Sequence, residues 1–167
     1  EKRGIDKIVF SSSCTVYGEP DTIPPTEASP IKPAISPYGA TKQMCETILN
    51  DCRAFQTQCL RYFNPIGAHP SGLIGELPLG VPANLIPYLT QSVAGLRPPL
   101  TVHGGDYPTP DGTCIRDYIH VCDLADAHVA ALRRLLEGRQ ECSFEVFNIG
   151  TGKGRSVLEI LRAFQEA

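Results

Sequence analysis

The sequence predicts an α/β protein built on a parallel sheet, and three observations carry that expectation. Lys7 to Ser11 (K-I-V-F-S) is a short, continuous, β-branched apolar run, the pattern of a parallel strand covered on both faces. Further along, strand signals at Tyr118 to Val121 and Phe144 to Ile149 bracket a helix signal from Asp123 to Glu137, and strands alternating with helices are the mark of the class. The length, 167 residues, gives room for one average domain with a buried core and too little for a second complete one.

The elements follow in order. After the first strand, Ser36-Pro37 supplies an N-cap and a first-turn proline for a helix that begins at Tyr38-Gly39-Ala40-Thr41-Lys42 and continues through Cys45, Leu49 and Cys52. Cys59 to Phe63 reads as a strand. Pro82 to Leu96 carries Leu85, Ile86, Leu89, Val93 and Leu96 at helical spacing. In the helix from Asp123 to Glu137, Asp123 is the expected cap, Leu124, Ala127, Ala131 and Leu135 form the inward stripe, and Gly138 stands where a helix is released. Gly150 to Gly154 reads as a loop after a late strand. The final helix opens on the capping box Ser156-Val157-Leu158-Glu159 and runs through Ile160, Leu161 and Phe164 until the chain stops at Ala167. All 15 prolines lie between Pro20 and Pro110, and no repeat or low-complexity segment is visible.

Composition narrows the partners. The chain is 42% hydrophobic and 20% charged, with 15 basic against 18 acidic side chains and a net charge of -3. That balance lacks the electrostatic footprint of a nonspecific nucleic-acid or membrane-surface binder, and no apolar run is long enough to cross a bilayer. Seven cysteines (14, 45, 52, 59, 114, 122, 142) form no C-x-x-C pair, and no signal-peptide pattern appears, so they read as reduced, buried thiols of a cytoplasmic protein. The four histidines (69, 103, 120, 128) are scattered, so no metal site is expected. The chain opens without Met on what resembles the tail of a helix, Glu1-Lys2-Arg3-Gly4, and the expectation is a fragment of a longer protein.

Tyr38 and Lys42 stand one turn apart on a face that continues into Cys45, Leu49 and Cys52, which is expected to lie along the body of the protein. Such a pair has a chemical use. A phenol ordinarily ionises near pH 10, so a phenolate that takes a proton at neutral pH must be stabilised by about 4 kcal/mol. One neighbouring cation supplies between a third and all of that, so Lys42 alone is marginal and a second positive charge is wanted. An oxidised nicotinamide ring is such a charge.

Y-x-x-x-K at Tyr38 and Lys42, preceded by S-S-S-C-T-V-Y-G at Ser11 to Gly18, resembles the extended, nucleotide-sugar-modifying branch of the short-chain dehydrogenase/reductase superfamily. The bare Y-x-x-x-K spacing is common on helix surfaces. Three further stretches, L-R-Y-F-N-P-I-G-A-H from Leu60 to His69, G-V-P-A-N-L-I-P-Y from Gly80 to Tyr88, and D-G-T-C-I-R-D-Y-I-H-V from Asp111 to Val121, are similar to the UDP-glucose 4-epimerase family and occur in its order. The resemblance runs along the whole chain and covers the middle half of such an enzyme.

It implies a partial, doubly wound parallel sheet of the NAD-binding Rossmann type with a smaller, interwoven substrate-binding part. Residues 1–65 would close the NAD-binding domain, 66–112 form the UDP-sugar region, 113–149 return to the NAD-binding domain, and 150–167 begin a further substrate region. The implied reaction interconverts UDP-glucose and UDP-galactose through a transient 4-keto sugar, with bound NAD and a possible homodimer. Ser13 would hydrogen-bond the oxidised sugar oxygen, Tyr38 would take the proton of the 4-OH, and Lys42 would hold the nicotinamide ribose and favour the phenolate. Tyr62 and Phe63 would lie near the nicotinamide. Asn64, Asn84, the backbone at Leu85, and Thr101, Val102 and His103 would surround the UDP part, with Arg116 as a bidentate diphosphate clamp. The physics agrees with this division of labour: a ketone that turns over in its pocket needs firm anchoring elsewhere, and a nucleotide diphosphate offers the handle.

Each residue also has a plainer role to fill. Arg116 beside Asp117 suits an ion pair, Asn64-Pro65 suits a turn, Tyr62-Phe63 suits a packed strand end, and His120 and His128 suit core or helix surface. Gly150-Thr151-Gly152-Lys153-Gly154 imitates a phosphate loop, but its spacing fits neither G-x-x-x-x-G-K-[ST] nor G-x-G-x-x-G. The family's glycine-rich turn falls upstream of Glu1, so the isolated chain is expected to be inactive. His103, Ala83 and Gly105 depart from the family's Phe, Asn and Asn near uracil. The remaining alternatives are another nucleotide-sugar epimerase or 4,6-dehydratase of the superfamily, and a non-catalytic NAD or nucleotide-sugar binding fragment.

Overall fold

The computed structural model describes residues 4–166, so Glu1 to Arg3 of the expected helix tail, and Ala167, lie outside the described residues. In chain order the elements are β1 (Lys7–Ser13), α1 (Pro37–Asp51), β2 (Gln56–Tyr62), β3 (Asn64–Ile66), α2 (Leu85–Val93), β4 (Ile115–His120), α3 (Val121–Leu136), β5 (Phe144–Ile149), β6 (Gly154–Ser156) and α4 (Val157–Glu166). A short 3₁₀ turn, Cys14–Tyr17, follows β1 directly.

β1, β2 and β5 form one parallel sheet in the order β1-β2-β5, with Ser13, Tyr62 and Ile149 in register at its carboxyl end. Successive strand residues point to opposite faces. Ser11 meets His128 of α3, whereas Ser12 meets Glu46 of α1, so the two helices cover opposite faces, the doubly wound arrangement. The middle strand is accordingly buried from Thr57 to Arg61. A second small sheet, ordered β3-β4-β6, pairs β3 parallel and β6 antiparallel to β4.

Several boundaries differ from the sequence expectation for local reasons. β2 begins at Gln56, and its buried Gln58 is satisfied inside by donating to Glu145 at 2.9 Å, whereas the buried Thr57 hydroxyl has no partner among the described residues. α3 begins at Val121, since the His120 ring nitrogen, not Asp123, accepts from the amide of Cys122 at 3.1 Å. Asp123 falls in the first turn, where its charge suits the helix dipole. α2 is shorter than Pro82 to Leu96, starting after Asn84 and ending before Gly95, whose φ of +72° turns the chain away. β3 and β6 arise where turn and loop were expected. The caps of α1 and α4 form as expected: Ser36 accepts from Gly39, and Ser156 and Glu159 bond reciprocally.

All seven cysteines are free, but only Cys59 is buried; five are half-buried and Cys142 is exposed, which corrects the expectation of buried thiols. Burial, with Glu46 nearby, pushes the Cys59 thiol up to about 12. No helix among the described residues is long and apolar enough to cross a membrane.

Glu145 on β5 accepts from Arg134 Nε at 2.9 Å and Nη2 at 2.7 Å, from Gln58 at 2.9 Å, and from the amide of Glu141 at 3.0 Å. The Arg134 bonds outweigh burial and hold its carboxyl below the usual carboxylate range. The folded state therefore favours the ion; this stabilisation is present above the ordinary carboxylate range and is lost as pH falls through the folded-state value. Glu145→Gln is expected to lower stability at neutral pH by about 1–3 kcal/mol and to flatten the loss of stability between about pH 5 and pH 3. Urea unfolding across that range checks it, and an acid limb as steep as the parent's contradicts it.

Candidate active site

The carboxyl ends of the three parallel strands place several predicted residues together. Ser13, 6% exposed, ends β1 and caps the 3₁₀ turn, its hydroxyl accepting from the Thr15 amide at 3.3 Å and the Thr15 hydroxyl at 3.0 Å. Both bonds use its lone pairs, so its own hydrogen is available to a ligand oxygen. Tyr62 ends the neighbouring strand in register with Ser13, and its ring lies 6.2 Å from that of His128. Phe63, the next residue, packs against Gly150, where a Cβ would sit 2.7 Å from the ring.

α1 brings up the second group. Its first turn is seated on the 3₁₀ turn, with Gly39 buried so closely that a Cβ would meet the Thr15 carbonyl at 3.1 Å. Tyr38 is half exposed, and its hydroxyl has no hydrogen-bond partner among the described residues. Lys42 donates to the Ser11 carbonyl at 2.8 Å, which spends one of its three donors, and its ammonium lies 5.1 Å from the Phe10 ring centre and 5.5 Å from that of Tyr38. A cation beside a phenol favours the phenolate.

The helix face was expected to be apolar through Cys45, Leu49 and Cys52, but these are half-buried and the deeply buried side chain is Glu46. Glu46 accepts from Ser12 at 2.5 Å and bidentately from Arg61, Nε at 3.0 Å and Nη2 at 2.6 Å. Arg61 also donates to the Tyr17 hydroxyl at 3.0 Å, which donates to Asn148 at 2.6 Å. Burial works to discharge Arg61, but the bonds to Glu46 and Tyr17 outweigh it and push its pKa up. Sequence reasoning missed this network. The available signal was an acidic residue at the fourth position after Lys42 on an inward face.

The remaining predicted residues gather around two adjoining cavities. One, of about 250 Å³, is lined by Asn64, Asn84, Leu85, Arg116 and Tyr118. The other, of about 440 Å³, shares Asn84 and Leu85 and adds Tyr88, Thr101, Val102 and His103. Arg116 has no carboxylate partner among the described residues; its one hydrogen bond is to the Ile115 carbonyl at 2.7 Å. The ion pair with Asp117 does not form, because adjacent strand residues point to opposite faces. Asp117 instead accepts from Thr151 N at 3.0 Å, Thr151 Oγ1 at 2.6 Å and Gly152 N at 2.8 Å, closing the glycine-rich loop from within. The cavity group and the strand-end group adjoin along the chain, since Asn64 follows Phe63 directly.

A profile described as the NAD dependent epimerase/dehydratase family matches residues 1–150. UDP-glucose 4-epimerase 1 of Oryza sativa subsp. japonica is 55% identical over 168 residues, spanning 98% of this chain and 47% of the relative. Among solved structures, the UDP-glucose 4-epimerase of Bifidobacterium longum, in complex with NAD+ and UDP, superposes with a TM-score of 0.92 at 47% identity over 99% of this chain and 49% of its own. The UDP-glucose-4-epimerase of Stenotrophomonas maltophila, with bound NAD and formylated UDP-arabinopyranose, gives 0.90 at 51% identity over 98% and 48%. The chain spans about half the length of the relatives it matches.

Asp117→Ala removes the carboxylate that holds two loop amides. The amides of Thr151 and Gly152 are expected to exchange with solvent faster, with stability lower by about 1–3 kcal/mol. Hydrogen exchange followed by mass spectrometry checks this, and unchanged protection of both amides contradicts it.

Proposed function

The chain belongs to the NAD dependent epimerase/dehydratase family, and from that premise we propose that it carries the reacting centre and part of the nucleotide pocket of a UDP-glucose 4-epimerase. The observation that carries this reading is the state of three side chains at the carboxyl ends of the parallel strands. Ser13 has a hydrogen to donate, Tyr38 has a hydroxyl without a protein partner among the described residues, and Lys42 has two donors left beside the Tyr38 ring. Ligands of open α/β sheets bind in that crevice.

The residues present fit the nicotinamide end of NAD. Lys42 has the spare donors to hold its ribose, and Tyr62 and Phe63 stand at the end of the adjoining strand. Bound NAD supplies the acceptor that takes hydrogen from C4 of the sugar and gives it back. Tyr38 takes the proton of the 4-hydroxyl, Lys42 favours the phenolate that does so, and Ser13 donates a hydrogen bond to the same oxygen. On the return, Tyr38 gives the proton back and the configuration at C4 is inverted.

Turning the keto sugar over requires that the nucleotide stay fixed while the hexose is free. The two cavities suit that division. Arg116, with no carboxylate to neutralise it among the described residues, clamps the diphosphate, and Asn64 and Asn84 line the same space. Leu85, Thr101, Val102 and His103 enclose the adjoining volume for the uridine.

The test uses the full-length protein with UDP-galactose carrying deuterium at C4. UDP-glucose that retains the deuterium at C4 is expected; loss of label to solvent, or no conversion, contradicts the reading. Tyr38→Phe is expected to lower kcat by about 10²–10⁴-fold with little change in KM. Arg116→Ala is expected to raise KM for the UDP-sugar by about 10–100-fold, and steady-state kinetics separate the two effects.

A further inference from the structure

Tyr38, Lys42 and Glu46 recur every fourth residue along α1 and so occupy one face of it. That face is fastened to the sheet by polar contacts: Lys42 to the Ser11 carbonyl at 2.8 Å, and Glu46 to the Ser12 hydroxyl at 2.5 Å. Glu46 is 7% exposed and Arg61 5%. A buried ion pair is expensive to desolvate, and apolar side chains of similar volume hold a fold equally well. What apolar side chains do not supply is direction. The bidentate contact of Arg61 with Glu46, joined by Ser12, sets both the rotation of α1 and its position along its axis.

The same guanidinium reaches the other side of the site. Its third bond is to Tyr17, which closes the 3₁₀ turn capped by Ser13, and Tyr17 in turn is held by Asn148 on β5. One arginine on β2 therefore connects the helix that carries Tyr38 and Lys42 with the turn that Ser13 begins.

We infer that Glu46 and Arg61 are positioning residues, whose buried pair sets Tyr38 and Lys42 against Ser13 for the reaction; this rests on the roles proposed above for those three groups. Glu46 and Arg61 are both buried, and neither lines the two cavities. A displacement of about 1 Å at a reacting group costs on the order of 100-fold in rate, so a small loss of register is read in turnover before it is read in binding.

The test is made in the full-length protein. Glu46→Asp keeps the charge and shortens its reach by one methylene. It is expected to lower kcat by about 10–100-fold while KM for UDP-galactose stays within about twofold, because Asn84 and Arg116 line a separate cavity. Parent-like kcat overturns the inference. The triple variant Ser12→Ala, Glu46→Met, Arg61→Met removes the network without orphaning a buried polar atom, since Tyr17 keeps Asn148. It is expected to melt within a few degrees of the parent and yet show the same loss of kcat; recovered turnover would mean a merely structural role and overturn the inference. Hydrogen exchange of the amides of Thr41 to Cys45 gives a readout independent of activity, with about tenfold faster exchange expected in Glu46→Asp. If the unsubstituted protein does not convert UDP-galactose, the functional reading fails, and unchanged protection of those amides overturns the positioning role by itself.

Discussion

The contact between α1 and the parallel sheet is polar where a helix of this class normally presents aliphatic side chains. Lys42 reaches the Ser11 carbonyl and Glu46 both Ser12 and Arg61 on the sheet, while Gln43 reaches the carbonyls of Val16 in the 3₁₀ turn and Lys32 in the loop that follows it. Apolar contacts are non-directional and tolerate sliding; these do not. The site depends on that difference, because Tyr38 and Lys42 are useful only at a defined distance from the end of β1. On the opposite face of the sheet, Leu60 and Leu135 are fully buried in the apolar packing against α3, which supplies stability without direction.

Electrostatics and anchoring are divided between two places. At the strand ends Lys42 lies beside the Tyr38 phenol and the Phe10 ring, together with the Ser13 hydroxyl, whose acceptor capacity is already spent. About 4 kcal/mol is needed to hold a phenolate at neutral pH, more than one cation dependably gives, and in the proposed reaction the positive charge of an oxidised nicotinamide would complete the requirement. Beside Asn64 and Asn84, Arg116 has no carboxylate partner among the described residues, which suits the phosphate-oxygen role proposed for it. Asp117, its neighbour in sequence, is engaged by Thr151 and Gly152 and not by Arg116.

Local signals were legible in the chain wherever neighbours in sequence made the interaction. The Ser36 cap with Pro37, the Ser156–Glu159 box and the release at Gly138 formed as read, and the first strand formed too, although its Lys7 to Ser11 run is half-buried where a fully covered strand was expected. That Tyr38 and Lys42 stand together, and that Asn64, Asn84 and Arg116 line one cavity, follows from motif residues whose elements the fold brings to one end of the sheet. Long-range polar pairing was not legible. The buried Gln58 is satisfied by Glu145, 87 residues away, and the burial of Glu46 depends on Arg61. Periodicity registers apolar residues, so a helix face closed by an ion pair looks like a solvated one. The start of α3 was misplaced for a similar reason, as a histidine ring took the capping role usually given to Asp or Ser.

The proposed reaction requires that two hydroxyls, those of Tyr38 and Ser13, meet one sugar oxygen while Lys42 holds the nicotinamide ribose. A crystal structure of the full-length protein with NAD and an unreactive UDP-hexose measures that meeting directly. The account predicts the 4-oxygen within about 2.6–3.2 Å of both the Tyr38 and Ser13 hydroxyls, with Lys42 on the nicotinamide ribose and the diphosphate against Arg116. A hexose bound with another carbon facing Tyr38, or with its 4-oxygen out of hydrogen-bond reach of both hydroxyls, contradicts it.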